Sequence, residues 1–116
     1  MNISALKRGS IWFVNLDPVI GHEQAKKRPC LIISDDIFNQ SAEELVVILP
    51  ITSRERKFKF WVEINAPEGG LRCCSYIMCD QIRTISWKRL DAAPLGYVTE
   101  LTLHKIMQRL EILLGF

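Results

Sequence analysis

The sequence predicts a mainly β domain: a small, strongly curved barrel of antiparallel strands with one C-terminal α-helix. Three observations predict it. Short apolar stretches rich in β-branched and aromatic residues recur between residues 10 and 87, separated by turn-forming residues. No helix lies in the short connections between them, so successive strands meander antiparallel. Only the last stretch changes its hydrophobic period from two residues to that of a helix. The 116 residues suit a single domain. A chain of this size buries roughly 65% of its unfolded surface, enough for one core but not for a large enclosed cofactor pocket.

Residues 1–9 form a polar lead ending at Gly9, and Ser10–Asp17 reads as the first buried strand. Pro18 and Gly21 close it and begin a loop through Lys27. Pro29–Ser34 is continuously apolar, which predicts a central strand. Asp35–Glu44 is polar with room for one helical turn, and Leu45–Ile51 is a third strand whose Pro50 implies an edge or a strand end. After the polar loop Thr52–Lys57, Phe58–Ile64 alternates: Phe58, Phe60, Val62 and Ile64 share one face, and Lys59, Trp61 and Glu63 the other. Asn65–Gly70 is a turn cluster, followed by strands at Leu71–Met78 and Ile82–Trp87. Thr99 is an N-cap and Gly115 a C-terminal cap. Between them Leu103, Ile106, Met107, Leu110, Leu113 and Leu114 follow helical spacing and are read as one face packed on the sheet. That helix runs roughly 15 residues, or about 22 Å.

Composition bounds the function. With 48% hydrophobic and 24% charged residues, disorder is excluded as the default. The apolar runs fall far short of the roughly 20 residues of a membrane span, and no signal peptide is visible. A cytoplasmic location is therefore expected. Cys30, Cys73, Cys74 and Cys79 show no paired metal-ligand spacing with His22 or His104, so the expectation is four free thiols and no metal site. His104, on the helix, is read as a surface residue. The net charge of +2 is mild, but its distribution is uneven. Lys26, Lys27 and Arg28 form one basic cluster, and Arg54, Arg56, Lys57 and Lys59 a second with only Glu55 opposing it. Each alone is an ordinary solvated loop; brought together they would make a phosphate-binding face.

Three loops carry chemistry-bearing residues. The first runs Gly21-His22-Glu23-Gln24-Ala25-Lys26-Lys27-Arg28-Pro29, where Pro29 holds Arg28 extended at a strand entrance. An ion pair between Arg28 and Glu23 is the ordinary alternative. The second is Thr52-Ser53-Arg54, two hydroxyls and a guanidinium after a buried strand, or simply a polar turn. The third is Cys79-Asp80-Gln81-Ile82-Arg83, where Asp80 and Gln81 can be turn residues and Arg83 can pair with Asp80.

These loops, in this order, resemble the MazF/PemK-type toxins of bacterial toxin–antitoxin systems. Gly9-Ser10-Ile11-Trp12 with Leu16-Asp17-Pro18 looks like the family's opening strand, and Gly21-His22-Glu23-Gln24 followed by Arg28-Pro29 its signature loop. Ile51-Thr52-Ser53 and Asp80-Gln81-Ile82-Arg83-Thr84-Ile85 complete the likeness, which spans about Arg8 to Gly115. Lys26 and Lys27 stand where the family commonly has small residues, and Ser10 where it often has Asp. The resemblance implies an SH3-like barrel, a homodimer, metal-independent and cofactor-free cleavage of single-stranded RNA, and an antitoxin that masks the RNA groove. It maps the catalytic Arg onto Arg28 and the catalytic Thr onto Thr52, puts Glu23 and Gln24 in the signature loop, and sets Gln81 near bound RNA.

The residue types suit that chemistry. RNA supplies its own nucleophile, the 2′-hydroxyl. Arg28 can hold two phosphate oxygens with its planar fork, and Thr52 can donate to a non-bridging oxygen as charge builds there. A guanidinium, with pKa above about 12, is a poor base near neutrality. Glu23 or His22 is the better base on chemical grounds, and the family resemblance, firmer at Glu23, ranks Glu23 first. His22, Gln24, Lys27, Ser53, Arg54, Lys57 and Gln81 are the expected RNA contacts. Trp61 can stack on a base, fill a dimer interface or serve a secondary core. Two other classes compete with the nuclease: a catalytically silent binding module and a gyrase-poisoning toxin on the same fold. Neither needs Arg28 and Thr52 together.

Overall fold

Every strand pairing is antiparallel, as the short connections require. The computed structural model describes residues 2–15 and 27–116. Within them lie the strands β1 (Ser10–Asn15), β2 (Lys27–Ile32), β3 (Leu45–Thr52), β4 (Trp61–Ile64), β5 (Ser75–Met78), β6 (Arg83–Ser86) and β7 (Gly96–Tyr97), with helices α1 (Asp36–Asn39) and α2 (Glu100–Leu114). The sheet runs β4-β5-β3-β2-β1-β7, and β6 also pairs with β3. Leu45–Ile48 of β3 bond to β6, whereas Ile51 and Thr52 bond to β5. One strand thus has two successive neighbours along one edge, which curls the sheet into a half-barrel.

Both faces of β1–β3 are covered, which explains their continuous apolar runs. Alternate residues Ile11, Leu31, Leu49 and Ile51 join Val62, Ile64 and Ile77 under α2, which contributes Ile106 and Leu110. The intervening residues Trp12, Val14, Cys30, Ile32, Val46 and Ile48 pack with Leu6, Ile85 and Leu90 on the other side. Trp12 is wholly buried, and its indole N–H donates to Ser10 Oγ at 2.8 Å. Ser10 in turn donates to the Lys7 carbonyl, so this buried polar pair is satisfied.

Several expected boundaries shift. The N-terminal lead is not merely polar: it makes one helical turn at Ile3–Ala5 and buries Leu6 completely. Phe58 and Phe60 do not extend the β4 face, because the Trp61 N–H closes a turn onto the Phe58 carbonyl and the strand starts at Trp61. Only Ser75–Met78 of the stretch from Leu71 pairs, and Trp87 leaves β6 for a helical turn capped by Ser86. The two-residue strand β7 had no apolar run to announce it. Pro50 lies inside β3 rather than at an edge. The Ile33 N–H donates to the Val47 carbonyl, so the backbone groups of odd-numbered β3 residues face β2. The N–H that Pro50 lacks therefore falls on the other edge, where β6 pairing ends at Ile48 and β5 pairing begins at Ile51. The proposed strand end Leu16–Asp17 and the loop from Pro18 to Lys26 lie outside the described residues.

The helix matches its caps: Thr99 Oγ1 accepts from the Thr102 N–H, and Gly115 is left-handed at φ 76°. Leu113 and Leu114, expected in the core, are exposed, and the buried stripe of α2 ends at Leu110. Glu68 also supports the helix start, accepting the Thr99 N–H at 3.0 Å. Partial burial pushes the Glu68 carboxyl up, but hydrogen bonds from Thr102 and Thr99, with Lys105 nearby, outweigh it and leave its pKa below the ordinary value. A carboxyl depressed on folding adds stability above its unfolded pKa and loses it as pH falls through the folded value. Glu68→Gln is expected to cost about 0.5–1 kcal/mol at pH 7. In thermal melts across pH, that deficit should shrink at acid pH; a deficit independent of pH would contradict it.

Candidate active site

The site begins where the β2–β3 ladder stops. Its last pair is Cys30 with Pro50. Pro29 has no N–H to offer on the β3 side, so the two strands part there while β3 turns to β5. Arg28 and Thr52 each lie two residues beyond that last pair, one on each arm of this fork. Arg28 stays anchored on its other side, opposite Val14 of β1. It is exposed, and among the described residues no carboxylate lies in ion-pair range of it. The alternative pairing with Glu23 falls outside the described residues, as do His22, Gln24 and Lys26.

Thr52 is half-buried at the end of β3. Its Oγ1 accepts the Arg54 N–H at 3.2 Å. That bond occupies a lone pair and orients the oxygen while leaving the hydroxyl proton to be donated. Ser53 and Arg54 follow directly and are exposed, as are Arg56, Lys57 and Lys59. Lys27 diverges from the group. Its Nζ pairs with Asp91 at 2.8 Å, on a segment held against the far edge of β1 by the Asp91 N–H to the Phe13 carbonyl.

The Gln81 loop is the turn that the sequence allowed, with Asp80 given a further task. The Gln81 N–H donates to the Met78 carbonyl, closing a turn that leaves its side chain exposed. Asp80 accepts the Trp61 indole N–H at 2.9 Å. Phe58 meets the Trp61 ring edge-on at 5.2 Å between centroids, and the Arg56 guanidinium sits 4.6 Å over Phe58. A run of rings and charges thus ties the basic segment to the turn that carries Gln81.

Tyr76 was not anticipated. It pairs directly with Thr52 on one side and with Glu63 on the other, and its hydroxyl donates to Glu63 Oε1 at 3.4 Å. Desolvation first, then the charge of Glu55, contact with Cys74 and the charge of Glu63, push its phenol up to about 12. It therefore stays protonated at neutral pH. The alternation of Ser75–Met78, with Ile77 inward, was the signal that would have placed it on the open face.

Against this geometry, the family model of the PemK-like, MazF-like toxins of type II toxin–antitoxin systems matches residues 7–114. The chain belongs to that family. Among the relatives of this toxin-family member, the endoribonuclease PemK of Escherichia coli is 37% identical over 96% of this chain and 84% of its own. The endoribonuclease EndoA of Bacillus subtilis is 34% identical over 95% of each chain. A MazE–MazF structure from Deinococcus radiodurans superposes with TM-score 0.81 at 28% identity, covering 95% of this chain and 96% of that one. A mycobacterial endoribonuclease solved with its cognate antitoxin gives TM-score 0.75 at 28% identity over 100% and 97%. The curled sheet with its terminal helix is thus the fold of the MazF toxins, and among the described residues no helix is long and apolar enough to cross a membrane.

The thiols of this toxin-family chain divide into two kinds. Cys30 and Cys79 are buried, which pushes each thiol up to about 12; Cys73 and Cys74 are exposed. Native protein is expected to react with a thiol reagent at Cys73 and Cys74 only, with Cys30 and Cys79 released on denaturation. Mass mapping of the alkylated peptides checks this; rapid native labelling of Cys30 would contradict the fold.

Proposed function

We propose that this chain is a sequence-specific endoribonuclease toxin. It cleaves single-stranded RNA such as mRNA without a metal and is neutralised by a cognate antitoxin. The observation that carries the reading is the fork that sets Arg28 across from Thr52, with Ser53, Arg54 and Lys57 on one side. The family membership supports it, as do the endoribonuclease names of the relatives and the solved antitoxin complexes of similar toxins.

In this reading the 2′-oxygen attacks phosphorus while the bond from phosphorus to the 5′-oxygen breaks. The products are a 2′,3′-cyclic phosphate and a 5′-hydroxyl. Arg28 grips two phosphate oxygens, and its exposure with no fixed acidic partner among the described residues leaves the fork free for the substrate. The Thr52 hydroxyl, held by the Arg54 N–H, donates to the non-bridging oxygen that gains charge. Glu23 accepts the 2′-proton, with His22 as the second candidate, and an acid returns a proton to the leaving 5′-oxygen. Gln24, Ser53 and Gln81 read base edges, Arg54 and Lys57 follow the backbone, and Lys27 contacts RNA only by leaving Asp91. A gyrase poison has no use for such a fork.

The functional unit in this reading is a homodimer. The apolar residues that α2 leaves exposed, Leu101, Ile112 and Leu114 with Phe116 beyond its cap, suit burial against a second copy.

Purified protein in EDTA is expected to cut a long RNA at a short sequence, mapped by primer extension. Thr52→Ala should lower kcat by about 10²–10³. Arg28→Ala should abolish cutting with an unchanged melting temperature, since Arg28 is exposed. Cleavage that requires a divalent metal, or an unaffected Arg28→Ala variant, overturns the mechanism. Sedimentation equilibrium should give twice the chain mass, and Ile112→Asp should shift it toward the monomer; a monomeric wild-type chain contradicts the dimer.

A further inference from the structure

Strands β3, β5 and β4 present two unlike faces. Directly paired residues share a face, so Ile51, Ile77 and Val62 point together into the core, each no more than 5% exposed. One residue along, Thr52, Tyr76 and Glu63 point together the other way, joined by Trp61 two residues before Glu63. Trp61 pairs directly with Met78, which is buried on this face, and is the diagonal neighbour of Tyr76. Tyr76 and Trp61 are both half-buried rather than sealed.

The polar tip of each ring is already engaged. The Tyr76 hydroxyl donates to Glu63 and the Trp61 indole N–H to Asp80. Asp80 thus fixes the plane of Trp61 before anything binds, which lowers the ordering cost of a ligand there, while Glu63 holds the phenol oxygen of Tyr76 in place. What the rings have left to offer is their flat faces. The ligand they suit carries flat aromatic groups on a negatively charged strand: the acids Glu63 and Asp80 are engaged by the rings, and the exposed segment that leaves Thr52 carries Arg54, Arg56 and Lys57 against the single acid Glu55.

We propose that Tyr76 and Trp61 form a two-ring stacking platform for single-stranded RNA, Tyr76 taking the base next to the phosphate held at Thr52 and Trp61 the base beyond it. The platform rests on the endoribonuclease reading above and supplies its substrate grip. The electrostatic grip of the basic segment is blind to sequence, whereas a fixed ring beside the scissile phosphate sets which nucleotides lie flat enough for cleavage.

The test measures binding of a 2′-O-methyl oligonucleotide that contains the mapped cut sequence and cannot be cleaved. Tyr76→Val keeps a strand-forming side chain, and its fold is checked by melting. It should weaken binding roughly 5- to 150-fold, the range that base–aromatic stacking spans. Tyr76→Phe, which keeps the ring, should stay within about twofold, and Trp61→Val should weaken binding where Trp61→Phe does not. Replacing the base beside the cut by an abasic unit should weaken wild-type binding and leave Tyr76→Val little changed. The slope of log Kd against log salt should match wild type in Tyr76→Val, since no phosphate contact is lost, but flatten in Arg54→Ala. Equal binding by wild type and Tyr76→Val, or a flattened salt slope in Tyr76→Val, overturns the platform alone. A wild-type protein that binds no RNA overturns the endoribonuclease reading and the platform together.

Discussion

Two missing amide protons shape this molecule. Pro29 and Pro50 sit on neighbouring central strands, and each lacks a donor where the ladder would otherwise have continued. The lack at Pro50 is harmless, because it falls at the seam where β3 passes from β6 to β5. The lack at Pro29 frees β3 to leave β2 after a single last pair. The curl of the sheet comes from that passage of β3 between two neighbours, and the open mouth from the end of its pairing with β2.

The charges make sense in that frame. A net excess of two cations says little, but Arg54, Arg56, Lys57 and Lys59 all lie exposed in the segment that leaves Thr52, and Arg28 lies exposed on the other arm of the fork. Two of the acids on this side are given structural tasks: Asp80 holds Trp61 and Glu63 holds Tyr76. Asp91 draws Lys27 toward the far edge of β1, so the two adjacent cations of the β2 entrance serve different ends. Arg109 of α2 donates to the Lys59 carbonyl at 2.9 Å, fastening the end of the basic segment to the helix.

Much of the fold was legible because its signals are local. Thr99 and Gly115 bracket α2 through side-chain and backbone preferences that need no partner. The apolar runs of β1–β3 announce burial on both faces. The misreadings arise where a distant contact decides. Phe58 and Phe60 fit the alternation of β4, yet a turn redirects them and Phe58 stands perpendicular to the Trp61 ring instead. Leu113 and Leu114 fit the helical stripe, but the burial of α2 stops at Leu110. Pro50 looked like a strand end because its tolerance depends on a seam between two partners. The loop order pointed to Arg28 and Thr52, whereas Tyr76 stayed hidden, since its importance lies in being opposite Thr52 across a ladder.

The two-faced ladder of β3, β5 and β4 also limits how such a site can change over generations. A strand alternates strictly, so inserting or deleting a single residue in β5 would turn Ile77 to solvent and Tyr76 into the core. That error would be paired with two neighbours at once. Length variation is therefore closed to this surface. Divergence here must proceed by exchanging one outward side chain at a time on an unaltered backbone, and the positions of Tyr76, Trp61 and Glu63 are the letters such a lineage has to vary.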